Sequence, residues 1–322
     1  MRLTGIYGLM LAAAVSVTCG CAVATATPPN STEAQGFAKA AAPAGLRRGV
    51  YVLGSSAIYG FRADNPDNDA PFCRLPNFAY SAGNIAFDTK GRMIVPDYAA
   101  STITVYDAPT KPNACGKVLG AIQDTYGKPI DAASLDAAGG RIVVASQDRV
   151  EICSLRQGCT ASLSAPNLDT VSSIALWKNG DCWAQADATS GPGILDYFKG
   201  CDNDGEETTG YEGGEDNFGG IYLDEYGNIV SIFANYKNSS ALYVYSGCNP
   251  ACTMVSGPLP LRGNGSYGDL NKASSEFFAA DYQYSSVDVF KYTPKSLIYE
   301  YSFDAGLSGG VYGVAFNPRA AE

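Results

Sequence analysis

The sequence predicts an all-β chain folded as a six-bladed β-propeller of four-stranded antiparallel blades. Three observations carry that expectation. A unit recurs at a nearly fixed interval, apolar residues alternate with period two inside each unit, and each chain end holds part of one further unit.

The unit is clearest in "NIAFDTKGRMIVPD" (84–97), where two short apolar runs flank a polar turn containing Gly91. It recurs as "AASLDAAGGRIVVAS" from Ala132, "SSIALWKNGDCWAQAD" from Ser172, "GGIYLDEYGNIVSIFAN" from Gly219 and, more weakly, "GDLNKASSEFFAAD" from Gly268. The turn-initiating positions are Asp88, Asp136, Trp177, Asp224 and, approximately, Lys272, at intervals of 48, 41, 47 and 48 residues. Spacing in this range marks solenoids and propellers. The run after each unit selects the propeller. The runs "STITVYDAP", "QDRVEICSL", "SSALYVYSG" and "SSVDVFKYTP" alternate with period two and are rich in β-branched and aromatic residues, so they are strands. A weaker fourth run comes next, such as "GKVLGAI" or "CTMVSGP". Four short strands per unit, without helical periodicity, make a blade.

Five full units cover roughly 80 to 310. Ahead of them, "GVYVLGSSAIYGFRADNPDNDAPFCRLPN" supplies the later strands of a blade but no first strand. After them, "VYGVAFNP" supplies a first strand and nothing more, and Asn317 falls 45 residues after Lys272, in register with the repeat. The C-terminal strand is therefore expected to complete the first blade. Closing the ring in this way leaves no open inter-blade face.

The "IAFDTKGRMIVPD…ITVY" unit and its copies resemble NHL-type and related six-bladed propellers over about 47 to 322. The resemblance implies the fold more than any activity, because propellers host binding, scaffolding and several chemistries. Within such relatives, the gluconolactonase-like enzymes use a Glu near the first blade, with Asn and Asp, to hold a divalent cation. No matching acidic motif precedes "VYVLGSS" here. The streptogramin-lyase-like and amidating-lyase-like propellers depend on His.

Composition narrows the chemistry. The 322 residues carry a formal net charge of -10, whereas a phosphate backbone is bound by clustered Lys and Arg, so no nucleic-acid partner is expected. Histidine is absent, which removes Ser-His-Asp triads, Cys-His pairs and His-ligated metals. No G-x-S-x-G nucleophile elbow occurs. Chemistry would fall to carboxylates, Lys, Tyr, Cys or an oxygen-bound hard cation.

Residues 1–21 are expected to be an export signal: Arg2, then an apolar run, then small residues. That run is too short for a comfortable membrane span. Two processing readings compete. "TCGC" resembles a degenerate lipobox that would leave Cys21 as a lipidated first residue, although Thr18 stands where an aliphatic residue is expected. "AVA" and "ATA" are A-x-A sites that would release a free protein after Ala24 or Ala26. The product is lipid-anchored in the cell envelope in the first case and secreted in the second. Residues 22–45, rich in Ala, Thr and Pro, are expected to be a flexible tether. Residues 46–322 form a single propeller domain.

Eight Cys remain beyond the signal, an even number that suits an exported, disulfide-bonded chain. Cys153 and Cys159 flank one outer hairpin turn, and Cys248 and Cys252 flank another, so each pair is expected to close locally. Cys182 and Cys201 fall on the neighbouring second and third strands of blade four, where they could face one another, and are expected to pair. Cys73 and Cys115 occupy equivalent outer positions of consecutive blades and are expected to staple them.

In a propeller, the loops from second to third strand and the loops between blades share one face, which usually carries the site. The former contribute Asp97, Tyr98, Asp187, Asn235, Tyr236, Asp281 and Tyr282, and the latter Tyr80, Tyr126, Tyr211, Asn217 and Tyr267. Tyr312, at the entry to the closing strand, joins them. Tyr offers a flat apolar ring with a polar tip, suited to peptides and sugars, although Tyr is also a good strand residue. Asp97, Asp187, Asn235 and Asp281 recur at the end of the second strand and would hold Ca²⁺ if ringed around the channel. The competing expectation is that each bonds its own loop backbone as an Asx-type turn. In "CDNDGEETTGYEGGED" (201–216), Asp202, Asp204 and Gly205 imitate part of an EF-hand loop, but the signature fails at both ends, which leaves a solvated acidic run.

The function expected is a non-catalytic, extracytoplasmic binding propeller. It presents a Tyr- and Asp-bearing face to an extracellular protein, peptide or carbohydrate and needs no cofactor. The alternative is a divalent-metal-dependent hydrolase or lactonase of the gluconolactonase-like type, with oxygen ligands in the channel. It turns on whether the four carboxylate and amide groups converge.

Overall fold

Runs such as "MIVPD" and "IVVAS" are apolar on both faces, and only a sheet covered on both sides buries them. The computed structural model has that arrangement. It describes residues 49–62, 70–76, 84–88, 90–97, 100–107, 115–123, 130–135, 140–168, 170–186, 193–212, 219–233, 240–271, 273–304, 307 and 309–317, with backbone alone for 130–135 and 266. The expected signal, the tether and Cys21 lie outside the described residues.

Blade one holds β1 (Gly49–Gly54), β2 (Ala57–Arg62) and β3 (Cys73–Pro76). Blade two holds β4 (Ala86–Phe87), β5 (Met93–Asp97), β6 (Thr102–Tyr106) and β7 (Val118–Gln123). Blade three holds β8 (Ile130–Leu135), β9 (Ile142–Ser146), β10 (Arg149–Ser154) and β11 (Gly158–Leu163). Blade four holds β12 (Val171–Leu176), β13 (Cys182–Ala186), β14 (Ile194–Phe198) and β15 (Glu206–Glu207). Blade five holds β16 (Ile221–Leu223), β17 (Ile229–Phe233), β18 (Ala241–Ser246) and β19 (Thr253–Pro260). Blade six holds β20 (Gly265–Leu270), β21 (Glu276–Asp281), β22 (Ser286–Thr293) and β23 (Ser296–Phe303). The last strand, β24 (Val311–Phe316), pairs antiparallel with β1 in the order β24-β1-β2-β3 and completes blade one, as the sequence predicts. The chain is a six-bladed β-propeller.

The core lies in the seams. Six apolar clusters of described residues each fill one gap between neighbouring blades. Second strands such as β9 and β13 are buried along their whole length, while fourth strands at the rim, such as β7, are largely exposed. Closure is locked by packing as well as pairing. Phe316 of β24 stands edge-on to Phe278 of blade six at 4.2 Å, and its N–H donates to Asp269 Oδ2 of β20 at 2.9 Å.

The recurring acidic position between first and second strands is a turn cap. Asp88 Oδ1 accepts the N–H groups of Lys90 and Arg92 at 2.9 and 2.7 Å, and Asp224 Oδ1 accepts those of Tyr226 and Asn228 at 3.0 and 2.9 Å. Such Asx-type capture of the next residues' backbone explains why an Asp recurs at this point of the repeat. In blade six the cap is Asn271, whose Oδ1 accepts Ser275 N–H at 2.9 Å, one residue before the expected Lys272. Asn317 falls at the same place after β24, and its N–H donates to Gly49 O at 3.0 Å. Trp177 has no side-chain acceptor, so Asn179 and Asp181 organise that turn instead.

All four disulfides form with the expected partners: Cys73–Cys115, Cys153–Cys159, Cys182–Cys201 and Cys248–Cys252. One placement differs. Cys201 lies in a 3-10 turn at Lys199–Cys201, just beyond the third strand rather than on it, because Gly200 at φ 64 turns the chain back toward β13. No helix among the described residues is long and apolar enough to cross a membrane.

Candidate functional site

The described loops from second to third strand and the described inter-blade segments lie at one face of the ring. Tyr80, Tyr98, Tyr126, Asp187, Asn217, Asn235 and Tyr236 lie outside the described residues. Asp97, at the end of β5, turns Oδ1 onto Ala100 N–H at 3.0 Å. Asp281, at the end of β21, does the same with Gln283 and Tyr284 N–H at 2.9 and 3.1 Å. Both described carboxylates of the expected ring therefore cap their own loops, which is Asx-turn geometry. Among the described residues, one trio of Cys, Asp or Glu side chains gathers its ligand atoms within 4.8 Å: Glu151, Cys153 and Cys159. Its two sulfurs are bonded to each other, so it offers no thiolate ligands.

Tyr267 lies within β20 rather than in a loop. Its hydroxyl donates to Ser172 O of blade four at 2.9 Å, passing over the intervening blade. Asn84, just before β4, likewise donates from Nδ2 to Gly268 O of blade six at 3.0 Å. These bonds tie non-neighbouring blades across the inside of the ring. Tyr211 is also structural in its contacts. Its ring packs on Tyr245 and Phe233 at 4.9 and 5.8 Å, its hydroxyl bonds Ser231 Oγ at 2.8 Å, and burial pushes that hydroxyl's pKa up.

The remaining predicted residues come together at the seam of blades six and one. Tyr282 and Tyr284 occupy the loop after β21, each 52% exposed. Tyr282 lies 5.4 Å from the ring of Tyr312 at the entry to β24. A Cβ on Gly310 would stand 2.2 Å from the Tyr282 ring, so glycine is needed for the ring to lie there. Arg262, from the segment between blades five and six, sets its guanidinium 5.2 Å from the Tyr284 ring centroid and 5.4 Å from that of Tyr299, within cation–π reach of both. It also donates to Ser302 Oγ at 2.7 Å and Tyr299 Oη at 3.2 Å.

Beneath this patch lies an acidic pair. Asp288, in mid-β22, accepts from Ser302 Oγ at 2.5 Å and sits 3.7 Å from Arg262 Nη1. Burial pushes its carboxyl up to about 6, opposed by Ser302 and assisted by neighbouring Asp281. Burial likewise raises Asp281, against the pull of the Tyr284 and Gln283 N–H groups. Asp281 Oδ2 receives no hydrogen bond from a described donor. Two ionised carboxylates cannot bond each other, but an acid and a carboxylate can, so one shared proton satisfies the pair. Each residue is only 1% exposed, so neither carboxyl reaches a substrate. Their role is to hold the Tyr282–Tyr284 loop.

Asp281, Tyr282 and Tyr312 were legible as loop-face residues. Tyr284 shares the "DYQYSS" loop with Tyr282, and that second exposed aromatic was the available signal. Arg262, Asp288, Tyr299 and Ser302 had none, because strand pairing and an inter-blade crossing bring them together.

No protein-family profile matches the chain, and no curated protein matches it in sequence. Solved structures match in shape. A chain of the nidogen–laminin complex aligns at TM-score 0.64 and 12% identity, covering 84% of this chain and 98% of that one. A Bacteroides fragilis protein assigned as a 6-phosphogluconolactonase aligns at TM-score 0.53 and 10% identity, covering 84% and 98%. Hydrazine synthase of Kuenenia stuttgartiensis aligns at TM-score 0.54 and 9% identity, covering 80% and 79%. At such identities these likenesses show the fold alone.

Proposed function

We propose that this protein is a non-catalytic, extracytoplasmic binding propeller of NHL-like type that engages an extracellular protein, peptide or carbohydrate through its loop face. The observation that carries the reading is the paired exposure of Tyr282 and Tyr284 over a buried cap, with Arg262 and Tyr312 beside them. Tyr and Arg are the residue types that anchor binding sites, and a loop fixed by Asp281 presents them with little ordering cost. The four disulfides support an oxidising compartment, and the export signal would deliver the chain there. The propeller in the nidogen–laminin complex is a precedent for this fold in a protein assembly. Retention through Cys21 and release after Ala24 or Ala26 are distinguished by the intact mass of the exported chain.

The test is a panel of extracellular proteins, peptides and glycans probed with the wild type and with a Tyr282→Ser/Tyr284→Ser double variant. Tyr226→Ser is the control, since Tyr226 is exposed in a turn on the opposite face. A partner that binds wild type and control but loses about tenfold or more affinity for the double variant supports the reading, since hot-spot aromatics cost about 2 kcal/mol or more. A partner bound equally by all three places the site elsewhere.

A further inference from the structure

The blade three–blade four seam holds a carboxylate that has no part in the loop face. Asp196, in the middle of β14, is fully buried, and neither of its carboxyl oxygens has a hydrogen-bond partner among the described residues. It lies directly opposite Glu207 of β15 in the strand register. Residues opposite one another on antiparallel strands project from the same face, so the two acidic side chains are neighbours. Like charges in that arrangement are destabilising unless something neutral or cationic intervenes.

The segment joining blades three and four closes over this position. Asn167 donates from Nδ2 to Glu207 Oε2 at 2.5 Å. Asp204 Oδ1 accepts Ser164 N–H at 2.9 Å, and Gly205 N–H donates to Ser164 O at 2.8 Å, which zips the approach to β15 onto the same segment. The result is a buried Asp196 carboxylate beside the exposed carboxylate of Glu207 and the Asn167 amide, with no described guanidinium or ammonium group bonded to Asp196.

We propose that Asp196, Glu207 and Asn167 form a site for a hard divalent cation of the Ca²⁺ class at this seam. Asp196 offers two oxygens, Glu207 its Oε1 and Asn167 its amide oxygen, a donor set of the kind such cations select. The site joins the third and fourth strands of blade four to the segment that connects blades three and four, so occupancy ties that segment to the blade. The acidic run "CDNDGEETTGYEGGED" thus contributes Glu207, outside the EF-hand pattern that it fails. Burial, then the Glu207 charge, push the Asp196 carboxyl up to about 7, so protons compete with the metal at mildly acidic pH.

The test uses the full disulfide-bonded chain, stripped with chelator and titrated with CaCl₂ by calorimetry and by thermal melting at pH 8 and pH 6. The expected result is one saturable site with a melting temperature that rises with Ca²⁺. Affinity should be weaker at pH 6, weakened about tenfold or more by Glu207→Gln, and abolished by Asp196→Asn. Glu207 is exposed, so its variant decides the question even where Asp196→Asn folds poorly. Asp281→Asn, at a different seam, should leave Ca²⁺ binding unchanged. Absence of saturable binding at millimolar Ca²⁺, or an affinity unaffected by Glu207→Gln, overturns the proposal.

Discussion

Asp281 and Asp288 lie on adjacent strands of blade six with their carboxyl groups interacting, both buried. The pair supports the exposed tyrosine loop from below and makes the fold pH-sensitive. Both groups are raised above the ordinary Asp value, Asp288 to about 6. A raised acid keeps its proton in the folded chain after the unfolded chain has released it. The stability it contributes is fully present below about pH 4 and is lost as pH rises through about 6, at up to ~1.4 kcal/mol per pH unit. Urea melts across pH 4 to 8 should show wild type losing stability over this window relative to Asp288→Asn. Parallel curves for the two proteins would contradict the assignment.

Ring closure rests on β24. Deleting residues 311–317 removes the first strand of blade one and exposes two seams, so the whole domain is expected to lose its cooperative melt. A finer probe is Phe316→Ala, which empties the edge-on contact with Phe278. A loss of about 3 kcal/mol is expected for a buried Phe, measured by denaturant unfolding. A deletion variant that melts like the full chain would refute closure.

The disulfides should differ in worth. Cys73–Cys115 spans 42 residues and joins blades one and two, whereas Cys248–Cys252 spans 4. Constraint of the unfolded chain grows with loop length, giving about 4 kcal/mol for the long bridge and about 2 kcal/mol for the short one. Paired Cys→Ser variants, compared by equilibrium unfolding, should rank in that order.

Carboxylate caps on the two faces should also differ. Asp224 is buried and accepts two backbone N–H groups, Asn228 Nδ2 at 2.8 Å and Tyr292 Oη at 3.2 Å. Asp224→Ala leaves these donors buried without an acceptor and is expected to cost about 3 kcal/mol. Asp97 accepts one N–H in an exposed loop, so Asp97→Ala should cost about 1 kcal/mol or less. Thermal melts of the two variants separate the cases.

Much of the architecture was legible because a repeat protein writes the same local physics several times. The Asp88 and Asp224 turns, the alternating third strands and the half unit at each end gave blade number, closure and disulfide partners. Boundaries slipped where the repeat decays. In blade six Asn271 caps the turn in place of Lys272, and a bulged β20 takes in Tyr267.

The sequence by itself determined the ring: periodic apolar runs of fixed spacing have one economical way to bury both faces of every sheet, and cysteine spacing then selects the staples. Only the tertiary structure decided the chemistry of the faces. It showed that Asp97 and Asp281 cap their own loops and that Tyr211 and Tyr267 are tied inside the ring. It also placed Arg262 and Asp288 behind Tyr282 and Tyr284, and left Asp196 buried against Glu207. These relationships join residues from different strands and blades, and no local pattern encodes them, because each depends on strand register and on which blades become neighbours when the ring closes.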